Sequence, residues 1–374
     1  MIKSISKWDD EFFKLFVDYK NNYYKWSKLY LLESVSEFKA FLAENSAFNE
    51  NNNWQASLMF DENQKVIGRI FCSTRQDEFK QNDFLPFGFF EAKDAKTTKS
   101  LIHEVEAFAY MHSYSSIRGP IQGNVFHSSR LVSRQSMKPF YGEPFHNPMY
   151  KEFLVNAGLS INQTWVSGFF GVKGRILGMT KYLKRFSKSK SRRANYKIRQ
   201  MDFNNWDNEF KLIYELLMDS FTSFDDVEKL SFEEFKLWNE GIKYLVQPKN
   251  CLILEHENEP LGFIIAYHDL LPEIVALKRA NNLFNKLRFL LRKYIFRRAL
   301  LVNYLGKKQK CEGKVKGVAP KLFTKLAKNN YGFIFNSVIF GFISEHSKTL
   351  DLVPKVYIES SDYIMLQKSV TYTV

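Results

Sequence analysis

The chain is poor in cysteine. Cys72, Cys251 and Cys311 are too few for a disulfide framework and are not spaced as metal ligands, which points to a reducing compartment. No stretch reaches the roughly 18 apolar residues of a membrane-crossing helix. The longest apolar window, Tyr331 to Ile343, is interrupted by Asn336 and Ser337. The opening residues, MIKSISKWDDEFF, hold no apolar run, so no secretory signal is read there. The expectation is a cytoplasmic protein. Glycine (17) and proline (10) are too scarce among 374 residues for a collagen-like or low-complexity chain. The seven histidines show neither HExxH nor a paired spacing, so no catalytic metal is expected. No G-x-S-x-G or Cys–His signature of a hydrolase is present.

Acid is also missing where base is plentiful. Lys173 to Arg199 holds 11 Lys or Arg and no acid; Val275 to Ser344 holds 16 and one acid, Glu312. Together these windows carry a net charge of +26, while the whole chain carries +14, so the rest is acidic. A basic region of this size suits an anionic partner: a phosphate-bearing co-substrate, an acidic carrier protein, an anionic membrane or a nucleic acid. It is equally what a solvated basic face looks like.

At 374 residues the chain is long enough for two domains. Apolar spacing predicts helices at Asp9–Tyr24, Ser34–Leu42 and Thr97–His112, with Ser34 and Glu37 spaced as a capping box. Between them lie a hairpin, QASLMFDENQKVIGRIFCS, and a short strand, FLPFGFFEA. A loop-rich stretch follows and ends in the strand TWVSGFFGV. The order then begins again: a strand at Lys197–Met201, helices at Trp206–Phe221 and Ser231–Leu245, the hairpin CLILEHENEPLGFIIAYHDL, and the strand RALLVNYLG. A turn, GKVKGVAP, leads into the helix KLFTKLAKN. The chain closes with VIFGFIS, a short helix near His346–Leu352 and the strand VYIESSDYIML. This repeat of element order predicts two α/β domains, 1–172 and 197–374. The basic segment 173–196 between them is a linker or an amphipathic surface helix, with Ile176, Met179, Leu183 and Phe186 on one side.

The turn Lys314-Val-Lys316-Gly317-Val318-Ala319 is the sharpest local signal. It lies between a strand and a helix, where backbone N–H groups and the helix dipole favour a pyrophosphate; Gly317 and Ala319 leave room, and Lys314 and Lys316 add charge. A plain strand–helix loop has the same look. In this setting the turn resembles the acyl-CoA loop of the GNAT acyltransferase superfamily, Q/R-x-x-G-x-G/A, with Lys314 in the Q/R position.

A second resemblance covers most of the chain. Phe87-Gly88-Phe89-Phe90-Glu91, a helix, Arg118-Gly119-Pro120, Asn147-Pro148-Met149-Tyr150 and Gly158 follow the block order of a bacterial subfamily of tandem GNAT proteins. In the second half, Lys229-Leu230-Ser231-Phe232-Glu233-Glu234-Phe235, Gln247-Pro248, and Gly262-Phe263 through His268-Asp269 do the same. Gln122-Gly123-Asn124 through His127-Ser128 replaces a Ser-x-Asn segment, and His346 stands where many relatives have an Asn. The resemblance implies two GNAT-like domains in tandem, each a mixed sheet flanked by helices. It also implies transfer of an acyl group from acyl-CoA or an acyl carrier protein to an amine, in a small molecule or a lipid. Some relatives look like long-chain N-acyltransferases, including ceramide-forming ones.

Such a reaction needs a donor held by its phosphates, a base for the amine and an acid for the leaving thiolate. The donor is expected on the second domain, at Lys314, Lys316, Gly317, Val318 and Ala319. Base candidates are Glu345 and His346; acid candidates are Tyr357 and Tyr363. Each also fits a surface or packing role. His127, His146 and Asn147 fall in the loop-rich stretch, where a hydrogen-bonded structural histidine is the plainer reading. The basic stretch Lys173–Lys197 and the segment Leu283–Phe296 suit peripheral contact with an anionic membrane on its inner face, or two basic helices packed on their own domains. Two other functions stay open. One is a degenerate GNAT-fold binding module. The other is a nucleic-acid-binding protein, though no helix-turn-helix, zinc-finger or RNA-binding motif is present.

Overall fold

A computed structural model describes residues 1–75, 83–170, 195–221, 230–296, 299–309, 315, 317–330, 337–345, 347 and 359–370. The first half runs β1 (Ile2–Ile5), α1 (Asp10–Tyr24), α2 (Val35–Phe41), α3 (Ala47–Asn51), β2 (Trp54–Phe60), β3 (Val66–Ser73), β4 (Phe84–Ala92), α4 (Ala95–Met111), β5 (Ser116–Gly119), β6 (Leu131–Gln135), α5 (Tyr150–Asn156) and β7 (Ser160–Phe170). The second half runs β8 (Tyr196–Gln200), α6 (Trp206–Phe221), α7 (Phe232–Asn239), β9 (Cys251–His256), β10 (Glu259–His268), α8 (Leu271–Arg279), α9 (Leu283–Tyr294), β11 (Leu300–Lys307), α10 (Val318–Asn329), β12 (Val338–Ser344) and β13 (Glu359–Ser369). The architecture is mixed α/β, and no described helix is long and apolar enough to cross a membrane.

Local chemistry sets several of these elements. Asp9 caps α1 by accepting from the Phe12 N–H at 2.7 Å, and the 3.6-residue period then buries Phe12, Phe13, Phe16 and Val17. The box expected at Ser34 and Glu37 does not form. Ser34 pairs with the Ser36 hydroxyl, and Glu37 reaches across to Lys278. At α7 half of the box survives. Ser231 accepts from the Glu234 N–H at 3.1 Å, while the Glu234 carboxylate leaves the helix for Arg75 at 2.8 Å. In both cases a tertiary ion pair takes the glutamate from its local role.

Twelve strands form one sheet path, β1-β2-β3-β4-β5-β13-β7-β12-β11-β10-β9-β8, with β6 added on β13. The end strands are exchanged between halves. β13, from the far end of the sequence, pairs with β5 through Leu366↔Gly119 to Ser369↔Ser116. β7, from the first half, pairs with β12 through Val338↔Phe170 to Ser344↔Trp165. β7 and β13 pair with each other from Glu359↔Phe169 to Gln367↔Ser160. Strand pairing therefore crosses the division 1–172 and 197–374. Residues 171–194, where the linker or surface helix is expected, lie outside the described residues, as does the short helix expected near 346–352.

Each half has its own core on the sheet. α1 and α2 cover one face of the first half with Phe13, Phe16, Phe38 and Phe71, while α4 and α5 cover the other. In the second half α6 and α7 lie on one face and α10 on the other. Gly88 in β4 marks a close approach, since a Cβ there would collide with the Ile121 carbonyl. Across the junction, Arg75 Nη1 meets Glu234 and its Nη2 donates to the Gly123 carbonyl at 2.6 Å, all buried. Because β13 fills the slot beside β5, residues 1–172 produced alone should fail to fold as a stable monomer, and co-production with 173–374 should restore a folded complex. Circular dichroism and gel filtration check this.

Candidate active site

The parallel pair β11–β12 is joined only at Leu300–Val302 against Val338–Phe340. Beyond those residues β11 runs on to Lys307 and β12 to Ser344 without pairing to each other. A bulge causes the divergence: Ala266 faces Val302 and Ile265 faces Tyr304, so Asn303 is left out of the register with β10. The first half repeats the device. β4 and β5 pair only over Phe84–Pro86 against Ser116–Arg118, β4 continues to Ala92, and Phe89 takes a φ of +46° where its register with β3 jumps. Each half thus opens a V-shaped gap in its sheet.

Both gaps face one cavity of about 1210 Å³ between the halves. Phe89, Phe90 and Glu91 line it from β4; Asn303 to Lys307 line it from β11; Phe340 to Ser344 line it from β12. The loop Pro139–His146 and residues Trp238 to Leu245 close it. Trp165 of β7 and Met365 of β13 form part of the wall, so the exchanged strands shape the cavity directly.

The helices that follow the two gaps differ at their N-termini. α10 begins at Gly317, which has φ +70° and ψ +44° and offers no side-chain cap. Glycine takes this left-handed conformation without strain, and among the described residues no side chain accepts from the first N–H groups of α10. In the first half, Asp94 occupies the corresponding place before α4 and accepts from the Thr97 N–H at 2.7 Å. That backbone hydrogen bond holds the Asp94 carboxyl below its ordinary value. At α4 a carboxylate already sits where an anion would bind, whereas no described side chain caps α10.

The expected site residues are distributed as follows. Val318 is buried against Gly262, and Ala319 is half-buried in the first turn of α10. Lys314, Lys316, His346 and Tyr357 lie outside the described residues. Glu345 is exposed and accepts from the Thr164 hydroxyl; it does not line the cavity. Tyr363 is fully buried, packs on Phe342 at 5.0 Å, and donates its hydroxyl proton to Glu143. His146 is fixed as a neutral ring, with Nε2 accepting from the Val132 N–H at 2.8 Å and Nδ1 donating to the Asn147 carbonyl at 3.0 Å. Burial holds it below its ordinary pKa. His127 stacks on Trp238 at 3.8 Å, and its Nδ1 lies 3.0 Å from the Gln122 carbonyl.

The structure adds Glu143, which sequence reasoning passed over. It lines the cavity, accepts from Tyr363 and from Gln135 Nε2 at 3.0 Å, and is pushed up by burial to about 7. One signal was legible: Glu143 is the single acid between Glu106 and Glu152, set among Tyr141, Pro144 and Phe145. A carboxyl near 7 in a cavity is matched to proton transfer at neutral pH.

Comparison with solved structures places the architecture. A tandem GNAT protein from the clavulanic acid biosynthesis pathway matches over 100% of this chain and 99% of its own, at 9% identity and a TM-score of 0.50. The chain has a tandem GNAT fold. A conserved protein from Enterococcus faecalis described as a probable N-acyltransferase matches over 99% of this chain and 73% of its own, at 10% identity and a TM-score of 0.52. A GCN5-related N-acetyltransferase from Anabaena variabilis matches over 99% and 73%, at 8% identity and a TM-score of 0.50. No family model and no curated protein matches the sequence.

The raised Glu143 value has a consequence for stability. The folded carboxyl keeps its proton to about pH 7, whereas an unfolded one releases it near 4.5. The native state therefore binds more protons in that window, and wild type loses stability as the pH rises through it. Glu143→Gln should gain stability over wild type between those pH values and show no such loss. Urea unfolding across the pH series measures the difference.

Proposed function

We propose that this chain is an N-acyltransferase that takes an acyl thioester on its second half and an amine in the cavity between the halves. The carrying observation is the asymmetry of the two gaps: both open on the cavity, but only α10 presents an uncapped N-terminus. A CoA or carrier-protein pyrophosphate or phosphate would rest on that terminus, assisted by Lys314 and Lys316. The backbone of β11 beyond Val302, unpaired toward β12, offers hydrogen bonds to the amides of a pantetheine arm.

The chemistry runs in three proton transfers. Glu143 accepts a proton from the substrate ammonium, and the freed amine attacks the thioester carbonyl. As the C–S bond breaks, the thiolate takes a proton from Tyr304, which stands in the V on β11 and lines the cavity, and the tyrosinate recovers a proton from the nitrogen of the adduct, which thereby becomes the amide. The Tyr304 hydroxyl, with one proton to donate, lies 3.2 Å from both the Phe126 carbonyl and Asn239 Oδ1, and burial pushes it up to about 12. Tyr363 then acts as a positioning residue, because its hydroxyl fixes the Glu143 carboxylate. The cavity exceeds the roughly 300–1,000 Å³ of an ordinary small-molecule pocket, and Phe38, Phe89, Phe126, Trp165 and Phe342 line it. Both features favour a long-chain acyl group with a lipid or amino-acid-like acceptor.

Calorimetric titration should show that palmitoyl-CoA binds more tightly than CoA, and that Gly317→Glu abolishes both by placing a carboxylate at the α10 terminus. Unchanged binding in that variant would remove the donor from α10. In steady-state assays with an amine acceptor, kcat/KM should fall about tenfold per pH unit below about 7, the value to which burial raises Glu143. Glu143→Gln should lower kcat by about 10²- to 10⁴-fold and lose that limb.

A further inference from the structure

We propose that α9 and the two residues after it dock this protein on the surface of an anionic lipid membrane. Leu283 is 82% exposed, Phe284 72%, Leu287 53%, Leu290 49%, Tyr294 49%, Ile295 62% and Phe296 59%. At 100° per residue, Leu283, Leu287, Leu290 and Tyr294 fall on one stripe, with Phe284 beside it. The opposite side of the helix is anchored. Phe289 packs into the second-half core, Asn285 Nδ2 donates to the Ala276 and Ala280 carbonyls at 3.2 and 2.8 Å, and Lys293 Nζ donates to the Tyr244 carbonyl at 2.6 Å. The anchoring turns the apolar stripe outward.

Charge identifies the occupant. Residues 283–298 contain six Lys or Arg and no acid. On the helix Lys286 flanks one side of the stripe and Arg288 the other, with Arg292 behind Arg288; Lys293 is buried on the anchored side. Glu273, fully buried, lies beneath both arginines at 3.4 and 3.8 Å, and each arginine side chain keeps about 40% of its surface in solvent. A wide apolar stripe bordered on both sides by cations is the pattern of a helix lying in the headgroup plane, where apolar side chains enter the acyl boundary and cations meet lipid phosphates. A second copy of the chain would bring like charges together. The chain's own stretch Lys173–Arg199, with 11 basic residues and no acid, carries the wrong charge to cover it. A nucleic acid would leave the apolar stripe unsatisfied.

The location gives the dock a use. α9 packs against α8, and Leu271 and Ile274 of α8 line the cavity. Tyr244, whose carbonyl holds Lys293, adjoins Ile242 and Leu245 of the same wall. Docking would bring that wall within about one helix diameter, roughly 10–12 Å, of the lipid.

The test is co-sedimentation of the full chain with vesicles of phosphatidylcholine alone and of phosphatidylcholine mixed with phosphatidylglycerol, in the absence of any acyl donor. Wild type should bind the mixed vesicles at least about tenfold more tightly than the neutral ones, and more weakly as salt is added. Leu287→Glu combined with Tyr294→Glu should weaken binding about tenfold or more while leaving thermal unfolding unchanged, because both sites are exposed. Lack of binding to mixed vesicles, or equal binding by the variant, would overturn the proposal. So would a wild-type dimer that the variant dissolves, or retention on DNA that the variant leaves intact. No thioester is present, so the result stands apart from the fate of the acyltransferase reading.

Discussion

The pairing of β7 with β13 is the constraint on which the rest of the molecule depends. These strands come from opposite halves of the sequence, and each completes the sheet of the other half. Their ladder runs through the middle of the sheet path. It fixes the distance and orientation between two V-shaped gaps that neither half could align alone. Trp165 and Met365, one from each strand, face the cavity that results. The same strand that carries Met365 also carries Tyr363, whose hydroxyl holds Glu143. Sheet closure, cavity wall and carboxylate orientation thus share one structural cause.

Two halves with the same plan have diverged at one point of electrostatics. Both sheets split beside a bulge, and both place a helix after the splitting strand. Asp94 occupies the N-terminus of α4, while Gly317 leaves that of α10 open. An aspartate cap stabilises its helix by about 1 kcal/mol and at the same time fills the place of an incoming anion. The first half has the more self-sufficient helix. In the second, no described side chain caps the first N–H groups of α10, and the proposed phosphate would satisfy them.

The buried charges of the first half follow a different logic. Arg69 is fully buried and bridges Glu33 at 2.7 and 3.0 Å, while Lys20 lies 3.1 Å from Glu91. Burial alone would raise Glu33, yet Arg69 and Lys20 outweigh it and hold the carboxyl down at about 2. Glu91 also accepts from Tyr24 and Tyr150, at 3.1 and 2.7 Å. Paired in this way, Glu33 stays ionised. Among the described residues Glu143 has no cation paired with it to repay its desolvation, and it is pushed the other way. Within one cavity, the presence or absence of a neighbouring cation separates a structural carboxylate from one suited to accept and release a proton.

What lies close together in the chain could be read from the sequence. Periodicity placed α1, α4 and α6 to within one or two residues, and alternation placed the hairpins β2–β3 and β9–β10; the strand before Gly317 and the helix after it are both present, the helix starting three residues early, at Val318. Spacing and block order together were enough for the tandem fold. β1, β5, β6 and α8 went unread, because short elements with mixed periodicity take their form from the partners they meet. The exchange of β7 and β13 could not be read either, since both strands have the same local pattern whichever sheet they join. The carboxylate at Glu143 escaped for the same reason: its elevated pKa comes from burial among segments far apart in sequence. Local propensity and spacing depend on neighbours a few residues away, and these the sequence by itself determined. Strand order, the shared cavity and the protonation of Glu143 depend on which distant surfaces exclude water together, and only the tertiary structure decided them.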